Sequence, residues 1–123
     1  MGDFNRSLQR HMQAIIEKDL VSYEDTIHAT NITLVLPNGK LIQTRDEFVQ
    51  FNRDWFADRD WKLSYEVVKT VETSEMSFAV LLIHYDDLDS EGLPYHQDYY
   101  LHLVFVNENG HWLLTYDQNT FIT

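Results

Sequence analysis

The sequence predicts an α+β domain, and three of its features carry that prediction. Apolar residues recur at helical spacing through most of the first half. Long β-type runs fill the second half. Only two prolines and four glycines punctuate the 123 residues, so each turn signal stands out. Helices first and a meander of strands afterwards is the α+β pattern. One domain over residues 1–123 is expected, because this length suits a single core.

Taken in order, Asp3 can cap a helix over residues 3–17, in which Phe4, Leu8, Met12, Ile15 and Ile16 share a face. Asp19 can cap a second, shorter helix with Leu20, Tyr23 and Ile27 on one side. Residues 32–36 are β-like, Pro37-Asn38-Gly39 is a turn, and Leu41 and Ile42 resume a short strand. Thr44-Arg-Asp-Glu47 is a capping box: hydroxyl and carboxylate can each take an orphan backbone N–H. It opens a third helix carrying Phe48, Phe51 and Trp55. Strands are expected over 61–71, 77–85, 95–106 and 112–121, with Asn107-Glu-Asn-Gly110 as a hairpin turn between the last two.

That last ribbon is apolar on both faces. With either plausible turn register, odd residues of its first strand share a face with even residues of its second. One face then carries Leu101, Leu103, Phe105, Trp112 and Leu114. The other carries Val104, Val106 and Leu113 near the turn, then Asp98, Tyr100, His102, Thr115, Asp117 and Asn119. Two apolar faces on one sheet call for two covers, helices on one side and a partner on the other. A homodimer through Leu101, Leu103, Phe105, Trp112 and Leu114 is the simplest expectation.

The order of elements resembles the SnoaL-like, ketosteroid-isomerase-like superfamily, the cone-shaped fold of nuclear transport factor 2 and its relatives. The residues that carry the resemblance are Lys18-Asp19, Leu36-Pro-Asn-Gly39 and Gly110-His-Trp-Leu-Leu-Thr-Tyr-Asp-Gln-Asn-Thr120. It implies N-terminal helices packed in the concave face of a strongly curved, mostly antiparallel sheet of the cystatin-like kind. It also implies a conical pocket between sheet and helices, and frequent dimers through the sheet. The isomerase's own catalytic positions fall, by counting, on His11, on Leu36 before Pro37, and on His102; none keeps the isomerase's residue type. The same counting puts Thr115, Asp117 and Asn119 on the pocket side.

Composition narrows the partners. Nine basic residues against twenty acidic ones give a net charge of −11, which disfavours nucleic acid because phosphate contacts need concentrated positive charge. The absence of cysteine removes disulfides and thiolate chemistry, and suits a reducing, cytoplasmic setting. The longest aliphatic run, Ala79 to Ile83, is far short of the ~20 residues a membrane helix needs. The N-terminal Met1-Gly-Asp-Phe-Asn-Arg6 lacks the apolar stretch of a signal peptide, and its Met1-Gly2 cue for myristoylation lacks the Ser or Thr wanted at position 6. No glycine-rich phosphate cradle and no Gly-x-Ser-x-Gly elbow occur, so no cofactor and no serine triad are expected.

The candidate chemistry centres on His102 and Asp117. In one hairpin register His102 faces Asp117, in the other Tyr100 does, and a carboxylate beside an imidazole is acid–base equipment. Tyr23, Phe51, Trp55, Tyr100, Thr115, Asn119 and His11 are the expected ligand-binding residues. His96-x-Asp98 invites a metal, but six residues of strand separate His96 from His102 by roughly 20 Å, so those two cannot share an ion; ligands from other strands could still join one of them, but no metal is the expectation. Asp87-x-Asp89-x-Glu91-Gly92 mimics a calcium loop but sits between strands, with Pro94 at its hinge, and reads as a solvated connection. Three functions fit: a small-molecule-binding domain, a cofactor-independent lyase or isomerase acting on a small carbonyl compound through His102 and Asp117, or an oligomerisation module.

Overall fold

The computed structural model describes residues 3–122; the Met1-Gly2 reading lies outside them. Three helices and six strands follow the expected order: α1 (Phe4–Glu17), α2 (Leu20–Glu24), β1 (Thr33–Val35), β2 (Leu41–Ile42), α3 (Arg45–Ala57), β3 (Lys62–Val71), β4 (Met76–Leu88), β5 (Pro94–Glu108) and β6 (His111–Phe121). The three expected caps form, although the Glu47 carboxylate accepts from the Thr44 hydroxyl and not from a backbone N–H. Asp3 accepts from the Asn5 N–H, Asp19 from Ser22, and Thr44 from Glu47, each worth about 1 kcal/mol. Helix α1 ends at Lys18 in the left-handed region (φ 56°), whose N–H bonds back to the Ala14 and Ile15 carbonyls.

The strands form one open sheet in the order β2-β1-β6-β5-β4-β3. All neighbours run antiparallel except β1 and β6, which are parallel. Strands β4 and β5 run past the expected ends because the residues there pair as well, Asp87 with Tyr95 and Leu88 with Pro94. The sheet bends where one strand carries an extra residue: Val68 in β3 and Thr115 in β6. Beside Thr115 the chain after α2 docks on the sheet. The Leu114 N–H donates to the Thr26 carbonyl (2.8 Å), and the His28 N–H donates to the Leu114 carbonyl (2.9 Å).

The Thr115 bulge corrects the expected facing. Leu103 pairs with Asp117 and Leu101 with Asn119, whereas beyond the bulge Phe105 pairs with Leu114. Paired residues share a face. The concave face therefore carries Leu101, Leu103, Phe105, Trp112 and Leu114 together with Asp117 and Asn119. The five residues expected at a subunit interface lie instead under the helices, all 8% exposed or less. Phe4 of α1 meets Phe105 and Trp112 edge-on at 5.5 and 5.4 Å. The convex face carries Val80, Tyr100, His102, Val104 and Gln118, half-buried except Tyr100, which is exposed.

Leu103 is fully buried at the centre of this core. Leu103→Ala is expected to lower the unfolding free energy by about 2–5 kcal/mol in urea titrations, as a core cavity does. A loss under about 0.5 kcal/mol, the range of a surface substitution, would contradict the facing described here.

Candidate functional site

The helices leave part of the concave face of the sheet uncovered. A cavity of about 260 Å³ opens there, between α3, the N-terminal half of β5 and the C-terminal half of β6. That is slightly below the roughly 300 Å³ at which ligand pockets usually begin. Aromatic rings supply much of its wall. Trp55 stacks on Trp61 at 4.2 Å and donates from Nε1 to the Tyr85 hydroxyl (3.3 Å), which donates to Asp87 (2.7 Å). Tyr23 stacks on Phe48 at 6.0 Å. Leu34, Leu63 and Leu101 add aliphatic surface, and Asn52, Asp117 and Asn119 add polar groups.

Asp117 is the chemical centre of this hollow. It sits mid-sheet, paired with Leu103 on β5 and with Leu34 on β1. It is 7% exposed, and its hydrogen bond runs from the Asn119 amide at 3.3 Å. A carboxylate shut away from water with so little compensation resists ionising. Burial pushes the Asp117 carboxyl up to about 7, against a small opposing pull from Asn119. Tyr99 and Tyr23 feel its charge in turn. Burial raises both phenols, and the Asp117 carboxylate adds to the rise. Near neutral pH the pocket therefore holds a carboxyl poised between acid and carboxylate, with protonated phenols beside it.

The expected site residues divide between four places. Tyr23, Phe51, Trp55, Asp117 and Asn119 line the pocket. His102 and Tyr100 do not. His102 pairs with Gln118 and Tyr100 with Thr120 on the convex face, so the His102–Asp117 pair does not form. The bulge is the reason, because it shifts β6 by one residue relative to the simple hairpin register. Thr115 sits at the bulge itself and donates to the Asn31 carbonyl (2.9 Å), outside the pocket.

His11 is fully buried in the core between Tyr23 and Phe105, at 4.9 and 5.5 Å between ring centres. Its Nδ1 lies 2.7 Å from the Thr26 hydroxyl, which donates to the Tyr23 carbonyl, so His11 carries its proton on Nδ1. Nε2 is left buried without a partner, and burial pulls the ring down to about 3. His11 is a neutral packing residue here.

Tyr85, Tyr99 and Asn52 also line the pocket, and none was among the expected residues. A signal for Tyr99 was present: it shares the parity of Leu101 and Leu103 along one strand.

These elements define a class of protein. The open, curved sheet wrapped around N-terminal helices is the cone-shaped fold shared by ketosteroid isomerase-like and nuclear transport factor 2-like proteins. The chain is similar over 97% of its length to a ketosteroid isomerase-like protein from Erwinia carotovora atroseptica, with a TM-score of 0.82, 14% identity and 93% of that chain covered. It is similar over 96% to an NTF2-like superfamily protein from Salmonella enterica, at TM-score 0.78, 11% identity and 87% coverage. It is also similar over 96% to the association domain of C. elegans CaMKII, at TM-score 0.71, 20% identity and 92% coverage. At these identities the likeness is one of fold. No family model matches the sequence, and no curated protein matches it.

The two buried titrating groups act on stability in opposite directions. Asp117 has a folded pKa above its unfolded value, so its contribution is fully present below about pH 4 and is lost as pH rises through about 7. His11 is depressed, so its contribution is present above about pH 6.5 and is lost as pH falls towards about 3. Asp117→Asn should remove the first slope. Relative to the parent it should gain on the order of 3 kcal/mol of stability between pH 5 and pH 8. Urea unfolding of both proteins at the two pH values checks this. An unchanged difference would mean that Asp117 is solvated.

Proposed function

We propose that this chain, as one domain over residues 1–123, binds a small, mostly apolar molecule in its conical pocket and works as a homodimer in the cytoplasm. The observation that carries the reading is Asp117, a carboxyl buried at the base of a cavity with largely apolar walls. Such a cavity selects an apolar body by burial and orients it through a few polar groups. A protonated Asp117 donates to a carbonyl oxygen; its carboxylate accepts from a hydroxyl. The Asn119 amide offers a second polar contact beside it.

A cofactor-independent lyase or isomerase acting on a small carbonyl compound is the second reading, and one observation favours it. A group titrating near neutrality is matched to proton transfer at physiological pH. With His102 on the other face, Asp117 would act as the base, and the Tyr99 or Tyr23 hydroxyl would steady the developing oxyanion. The pure assembly reading draws on the likeness to a CaMKII association domain. The dimer surface belongs on the convex face, around Val80, Tyr100, His102 and Val104, and not on the core-facing leucines.

Binding of small aromatic ketones and alcohols, followed by tryptophan fluorescence, tests the ligand reading. Ketone affinity should fall as pH rises through about 7, and Asp117→Asn should abolish that dependence. Leu101→Phe, which narrows the cavity, should weaken binding at least about tenfold, equivalent to ~1.4 kcal/mol. If neither variant alters binding, the pocket is not the site. Native mass spectrometry separates the assembly reading: Val104→Asp should yield monomers that still bind ligand. Monomeric parent protein would remove the dimer from the proposal.

A further inference from the structure

His96 and Asp98 gain a partner from β4 that their own strand does not supply. Strands β4 and β5 pair His84 with Asp98 and Asp86 with His96, so the four residues form a square on the convex face. Three ligand atoms of this square, one each from His84, His96 and Asp98, lie within 4.8 Å of one another. Asp98 Oδ1 is the hub. It lies 2.9 Å from His84 Nδ1 and 2.5 Å from His96 Nε2.

The remaining nitrogens are also engaged, and by carboxylates. His84 Nε2 lies 2.7 Å from Glu66 Oε2 on β3, and His96 Nδ1 lies 2.8 Å from Asp86 Oδ1. Each imidazole therefore turns one nitrogen to the hub and holds the other on an outer carboxylate. That outer contact fixes the tautomer of a metal-binding histidine and makes it a better donor.

We propose that His84, His96 and Asp98 form a binding site for a divalent transition-metal ion of the zinc type, with Glu66 and Asp86 orienting the two imidazoles. Two imidazole nitrogens and one carboxylate oxygen suit zinc, cobalt or nickel better than magnesium or calcium, which favour all-oxygen sets. Tetrahedral ligands at about 2.0–2.1 Å from zinc stand about 3.3 Å apart. The hub contacts need to open by less than ~1 Å to reach that spacing. All three side chains are partly exposed, at 32% for His84, 49% for His96 and 41% for Asp98, so an ion can enter and a water can fill the fourth position. The ion would also offset the cluster's crowded negative charge. Because it competes with protons for both imidazoles, its affinity should rise with pH.

Equilibrium dialysis of tag-free protein against Zn²⁺ gives the stoichiometry, and the visible absorption of added Co²⁺ reports the ligand geometry. One equivalent per chain and an intense tetrahedral Co²⁺ spectrum are expected. The double variant His84→Gln/His96→Gln should lose both. Glu66→Gln leaves the three ligands in place and should weaken zinc by roughly 10- to 100-fold. His111→Gln, at an exposed histidine outside the square, should change nothing. Circular dichroism establishes that each variant is folded. Parent protein that takes up no zinc, or a folded double variant that binds as well as the parent, overturns the proposal.

Discussion

The single extra residue at Thr115 decides what the hollow of this protein contains. Upstream of it, even residues of β6 face the helices; downstream, odd residues do. Trp112 and Leu114 can therefore pack with Phe105 under α1, while Asp117 and Asn119 share the same concave face. Without the bulge, one of these two sets would turn outward. The greasy core and the polar pocket floor are successive stretches of one strand, and the bulge lets both point inward. The docking of Thr26 and His28 on Leu114 holds the chain at this position.

The electrostatics of the pocket follow from that placement. Asp117 lies mid-sheet between two apolar pairing partners and keeps one weak hydrogen bond, so its charge is disfavoured by desolvation. His11, packed on Tyr23 in the core, is neutral for the same reason with the opposite sign. Neither group gains from an ion pair, and a buried charge without one is costly. Such an arrangement does little for stability.

The elements were legible in the sequence because each has a local cause. Asp3, Asp19 and Thr44 cap their helices, Pro37-Asn38-Gly39 and Asn109-Gly110 turn the chain, and the long β-type runs leave little choice of partner. Part of the pocket was legible too: helical spacing put Tyr23, Phe51 and Trp55 towards it, whereas Asp117 and Asn119 line it beside Leu101 and not, as parity suggested, beside His102. The pairing of His102 with Asp117 was not, because a bulge changes facing without changing composition. The square of His84 and His96 escaped for a related reason. It depends on which residues of two strands lie opposite each other, and neither strand shows that alone.

Strand β3 forms one margin of the sheet, with its outer backbone groups unpaired by any neighbour. Bare margins invite other chains to add on and spread into fibrils. Here the margin is bent at Val68 and studded with Lys62, Glu66 and Lys69 along its outward side. An incoming strand meets alternating charge and a broken ladder, so four long strands can coexist in one small protein without templating insoluble stacks.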